Sequence, residues 1–95
     1  MISETTIRKV RELAIEDILS PYVRLSRKGS TLMGLCPFHT EKTGSFAVTP
    51  GKNLFHCFSC NRGGDSITFI MEKENLFFSA AVEFIARNHN IPVEY

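Results

Sequence analysis

The chain has 95 residues, 43% hydrophobic and 22% charged, with a formal net charge of +1. That is one domain's worth of ordinary globular sequence: too balanced for disorder, without an apolar run long enough to span a bilayer, and near the size at which an apolar core alone becomes marginal. Some staple is therefore expected, and three cysteines in a chain whose first seventeen residues, MISETTIRKVRELAIED, show no apolar secretory core read as a cytoplasmic metal site rather than a disulfide framework.

In chain order, Ser3 is placed to cap a helix through Ile7, Val10, Leu13 and Ala14, and a short second turn through Ile15, Ile18 and Leu19 stops before Pro21. YVRLSRKGSTLMGLC reads as two strands around a Lys28-Gly29-Ser30 turn. SFAV and NLFHCF read as a second pair around TPGK, where Pro50 presets one turn position and Gly51 supplies the positive φ of the next. Asp65 is expected to cap a helix over SITFIMEKE, and Ser79 a final helix over AAVEFIARNH. The fold class is α+β: a single domain over 1–95, a small antiparallel sheet flanked by N- and C-terminal helices.

All three cysteines and two of the three histidines fall between residues 34 and 60. Cys36 and His39 are separated by two residues, as are Cys57 and Cys60, so each pair makes a tight knuckle and the hairpin between them brings the knuckles together. Three thiolates and one imidazole saturate the tetrahedral preference of zinc and leave no position for a reactive water. The expected cofactor is one structural zinc whose binding is coupled to folding, with a net site charge of −1. His56 competes for the fourth position, but on a strand it points away from Cys57. His39 is therefore the expected ligand, and His56 is expected either to pack against the sheet, the slightly favoured placement, or to be exposed beside the site. His89, near a helix C-terminus, is assigned no role.

Charge is unevenly spread. Residues 24–62 carry six basic side chains against one acid, whereas the rest of the chain carries five against nine. A basic stretch containing the metal site and interleaved with aromatics (Lys42, Phe46, Lys52, Phe55, Phe58, Arg62) has the composition of a surface that tracks phosphates and stacks bases. Most phenylalanines of a small sheet are core, so Phe38 and Phe58 are expected to be buried beside the metal, and Phe69, Phe77, Phe78 and Phe84 to pack in helical stripes.

The segment GLCPFHTEKTGSFAVTPGKNLFHCFSCNRGGDSITFIMEKENLFF resembles the N-terminal zinc-binding domain of bacterial DnaG-type replicative primases, and the flanks IEDILSPYVRLSRKGSTLMGLC and AAVEFIARNHNIPV resemble the flanks of that family. The resemblance places the ligands at Cys36, His39, Cys57 and Cys60, an EKT-SF motif at Glu41, Lys42, Thr43, Ser45 and Phe46, and a helix-opening GGD at Gly63, Gly64 and Asp65. Three residues depart from the pattern: Gly44 stands where the family usually has proline, and Ser59 and Asn61 replace glycines around the last cysteine. Asn61 tolerates the left-handed conformation that this knuckle needs.

The resemblance implies a small zinc ribbon that engages single-stranded DNA and supports RNA primer initiation by a separate polymerase domain, in cis or in trans, with a replicative helicase as a further partner and no membrane. The chain's ten acids are scattered, so it is not expected to be an enzyme alone. Candidate nucleic-acid contacts are Arg27, Lys28, Lys42, Phe46, Lys52 and Arg62. The alternative is a zinc-stabilised protein-interaction module that docks a polymerase domain or helicase without touching DNA.

Overall fold

The computed structural model describes residues 1–40 and 44–95. Two short helices, α1 (Glu4–Glu12) and α2 (Ile15–Leu19), lead into five strands, β1 (Ser26–Lys28), β2 (Thr31–Gly34), β3 (Phe46–Thr49), β4 (Leu54–Cys57) and β5 (Gly63–Gly64), followed by α3 (Ser66–Lys73) and α4 (Phe78–Asn88). The strands form one antiparallel meander in the order β1-β2-β3-β4-β5. Among the described residues no helix is long and apolar enough to cross a membrane.

Local chemistry accounts for the element ends. The Ser3 hydroxyl accepts from the Thr6 N–H at 3.2 Å, and the Asp65 carboxylate accepts from the Thr68 N–H at 2.9 Å, both as expected for N-caps. The last helix differs. It begins at Phe78 with Phe77 as its uncapped boundary residue, and Ser79 lies inside it. The β3–β4 turn differs as well: its positive φ, 57°, is taken by Asn53 and not by Gly51. The expected four strands are joined by a fifth, Gly63–Gly64, which pairs with Phe55 and His56. Two glycines have no side chains to alternate, so nothing in the pattern marks them as a strand.

The core lies between one face of the sheet and the helices. Val10, Ile15 and Leu19 from the N-terminal helices, Phe46, Val48 and Phe55 from the sheet, and Ile67, Phe69, Val82 and Ile85 from the C-terminal helices are all buried. Four phenylalanines stack at its centre: Phe46 lies 5.5 Å from Phe55, Phe55 is 5.4 Å from Phe69 at a right angle, and Phe38 is 5.1 Å from Phe69. The chain's ends close over this core, with the Ser3 N–H donating to the Glu94 carbonyl at 2.8 Å and the Glu94 N–H donating to Thr6 Oγ1 at 3.0 Å.

Strand register determines what the other face shows. Leu32, Val48 and Phe55 lie in one cross-strand row, and Gly34, Phe46 and Cys57 in the next, both on the core side. By alternation Ser26, Met33, Ala47, His56 and Gly63 form a row on the outer side, beside Lys28, Thr31, Thr49 and Leu54. Gly34 is required where it stands. A Cβ there would come within 2.5 Å of the Arg24 carbonyl, which the strand crosses at close range.

Candidate metal centre

The first knuckle is held by its middle. Phe38 inserts among Phe55 and Phe69, and the Lys73 ammonium of α3 donates to the Pro37 carbonyl at 2.8 Å, so Cys36 and His39 leave a segment fixed on both sides. The second knuckle closes on itself: the Asn61 N–H donates to the Cys57 carbonyl at 2.8 Å, and the Cys57 N–H donates to the Arg62 carbonyl at 2.8 Å. Asn61 takes φ 61°, the left-handed geometry expected of it. The Phe58 N–H donates to the Ser45 carbonyl, and the Ser59 hydroxyl reaches the Ser45 hydroxyl at 2.6 Å, which fastens this knuckle to the start of β3.

Together the knuckles bring the ligand atoms of Cys36, His39, Cys57 and Cys60 within 4.8 Å of one another. A zinc ion bound to thiolates at ~2.3 Å in a tetrahedron requires sulfur atoms about 3.8 Å apart. Cys36 Sγ and Cys60 Sγ are 3.9 Å apart, so the donor set and its spacing fit zinc. The thiols are tuned unequally. Burial pushes Cys36 up to about 12, with its Cys57 and Cys60 neighbours adding to the effect. Burial also acts upward on Cys57, but the backbone of Cys60 and Ser59 and the two neighbouring thiols outweigh it and bring Cys57 down to about 7. Of these two thiols Cys57 is the readier to ionise. A dication is what allows the other thiolates to form beside it.

Residues 2–95 match the CHC2 zinc finger family. The chain belongs to the CHC2 zinc finger family. Its relatives include the DNA primase of Streptomyces coelicolor, 45% identical over 96 residues that cover 99% of this chain and 15% of that protein. The DNA primase of Listeria innocua is 45% identical over 94 residues, covering 98% of this chain and 15% of that protein. Among solved structures, the zinc-binding and RNA polymerase domains of the Aquifex aeolicus primase superpose with a TM-score of 0.84 at 35% identity, over 95% of this chain and 22% of that one. The chain spans about 15% of the length of these two primases. As a CHC2 zinc finger of the primase-associated kind, it carries one structural zinc.

Around the metal centre of this CHC2 zinc finger, the expected surface residues are sorted by strand parity. Phe46, a candidate for base stacking, is 0% exposed and packs against Phe55, so it has no face to offer a ligand. Phe58, expected in the core, is instead 67% exposed, and its ring lies 4.8 Å from that of His56, which is exposed rather than packed into the sheet. Both outcomes follow from one alternation: Cys57 points inward, so His56 and Phe58 point outward. Phe77 also lies outside the core, at 90% exposure, and Phe78 is partly exposed beneath the Arg11 guanidinium, 5.8 Å away.

The basic candidates divide as well. Lys28 is on the outer face, whereas Arg27 is on the opposite side of β1 with its guanidinium donating to the Gly29 carbonyl at 3.3 Å. Lys52 is exposed in the β3–β4 turn. Arg62 is part of the metal surround: it hydrogen-bonds Cys60, which holds it more firmly protonated, lies 5.0 Å over the Phe38 ring and approaches Glu72 at 3.6 Å. Glu41, Lys42 and Thr43 lie outside the described residues, and with them the Lys42 candidate contact.

Proposed function

We propose that this chain is the template-engaging zinc module of a primase: Cys36, His39, Cys57 and Cys60 ligate one structural zinc, and the outer face of the sheet binds single-stranded DNA. RNA primer initiation is then carried out by a polymerase domain in the same protein or a separate one, in the cytoplasm. The observation that carries this reading is the pairing of exposed His56 and Phe58 rings with the Lys28 ammonium on one side of one sheet. Bases stack on the rings while the cation tracks phosphates, which gives salt-sensitive binding tolerant of sequence. The Aquifex aeolicus structure, in which zinc-binding and RNA polymerase domains occur together, supports the partnership with a polymerase domain.

A second reading, a docking module for a polymerase domain or replicative helicase, is favoured by the bare ring of Phe77 at the start of α4. Fluorescence-anisotropy titration of a labelled single-stranded oligonucleotide, repeated over a salt series with the zinc-loaded chain, separates the two. The template reading predicts binding whose logarithm falls linearly with log salt, by about 0.7 per phosphate contacted. No binding at low salt, or binding indifferent to salt, sinks it and leaves the docking module.

A further inference from the structure

A cleft of about 400 Å3 opens on the outer face between the start of the sheet and the approach to β3. Met33, Leu35, Gly34 and Gly44 form its apolar part, and Arg24, Ser26 and Lys28 its polar part. Leu35 is 50% exposed there. Among the described residues that line the cleft, two cations, Arg24 and Lys28, stand beside an apolar floor.

The two glycines that line the cleft differ in what a side chain would meet. Gly34 is glycine because the Arg24 carbonyl leaves it no room. Gly44 is different: a Cβ there would meet the Gly34 carbonyl at 3.5 Å, an ordinary contact. Because Gly44 lines the cleft, a side chain added there narrows it.

We propose that this cleft receives one unstacked base of the bound single strand, with the adjoining phosphate held by Arg24 and Lys28. This rests on the reading of the outer face as the DNA surface and adds a place where a single nucleotide leaves the stack. A base has two flat apolar faces, polar edges and a phosphate tied to it. The cleft supplies an apolar floor, one hydroxyl and two cations, at the volume of a small-ligand pocket. The His56 and Phe58 rings, farther along the same face, stack neighbouring bases without enclosing them.

The test compares two labelled oligomers of equal length and charge, one carrying bases and one built entirely of abasic sites, on the zinc-loaded chain and on the variants Leu35→Ser, Gly44→Val and Lys28→Gln. Zinc content checks that each variant is folded; Leu35 and Gly44 are both exposed, so their substitution spares the core. Leu35→Ser and Gly44→Val are expected to weaken the base-bearing oligomer about tenfold, the scale of one base contact, and to leave the abasic oligomer unchanged. Lys28→Gln is expected to weaken both. If Leu35→Ser and Gly44→Val leave the base-bearing oligomer unaffected, or weaken both oligomers alike, the pocket is overturned while single-strand binding stands. If the unsubstituted chain binds neither oligomer, the DNA surface and the pocket fall together.

Discussion

Asn53 caps a helix that begins 38 residues earlier: its side-chain oxygen accepts from the Ile15 N–H at 2.9 Å. The amide nitrogen of the same side chain donates to the Leu13 carbonyl at 2.9 Å and the Arg11 carbonyl at 3.1 Å. One residue in the β3–β4 turn therefore satisfies the end of α1 and the start of α2, whose own boundary residue, Ala14, has no side chain able to cap. Asn53 makes these bonds from a positive φ of 57°.

Replacing Asn53 by glycine keeps that φ accessible and removes all three bonds. Zinc-loaded Asn53→Gly is expected to lose about 2 kcal/mol in denaturant unfolding, the scale of a lost cap with partly buried backbone left unpaired. Asn53→Asp retains the acceptor for Ile15 and loses both donors, so it is expected to fall between. Equal stability of all three proteins would show that the tie between turn and helices contributes nothing.

The ligand assignment separates two neighbouring residues. Cys57→Ser is expected to lose the zinc and with it the sheet, whereas His56→Ala is expected to keep one zinc per chain, because His56 faces the outer side of β4. Metal analysis by mass spectrometry reads both. A full complement of zinc in Cys57→Ser together with none in His56→Ala would reverse the assignment.

Arg62 places a cation beside a site whose ligands and metal sum to −1, and beside Cys60, which is more exposed than Cys36 or Cys57. Arg62→Gln is expected to release zinc to a chromogenic chelator about tenfold faster, the lower end of effects seen for groups that orient metal ligands. Thermal stability of the zinc-loaded form is expected to change little, since the Glu72 pair is exposed. Release at the unsubstituted rate would reduce Arg62 to a surface charge.

Much of this architecture was legible in the residues because each feature has a local cause. The two knuckles, the Ser3 and Asp65 caps and the left-handed Asn61 all depend on side chains within a few positions of one another. The misplacements have equally specific causes. Strand parity separates Phe46 from Phe58, but a run such as NLFHCF carries apolar residues on both faces, so hydrophobicity alone places Phe58 inside, while the interleaving of aromatics with basic residues makes Phe46 a surface candidate. Parity counted from Cys57 puts Phe58 outward; counted across the β3–β4 pairing, it puts Phe46 inward. The Gly63–Gly64 strand, the role of Asn53 and the bare Phe77 depend on partners distant in sequence, or on having none, and no window of neighbouring residues carries that information.

The central claim is that zinc holds together the sheet whose outer face binds DNA, and it is tested most directly by following a labelled single-stranded oligonucleotide already bound to the chain while a chelator removes the metal. The account predicts that anisotropy falls to that of the free oligonucleotide as zinc leaves and returns when zinc is restored. Undiminished binding by the metal-free chain would contradict it.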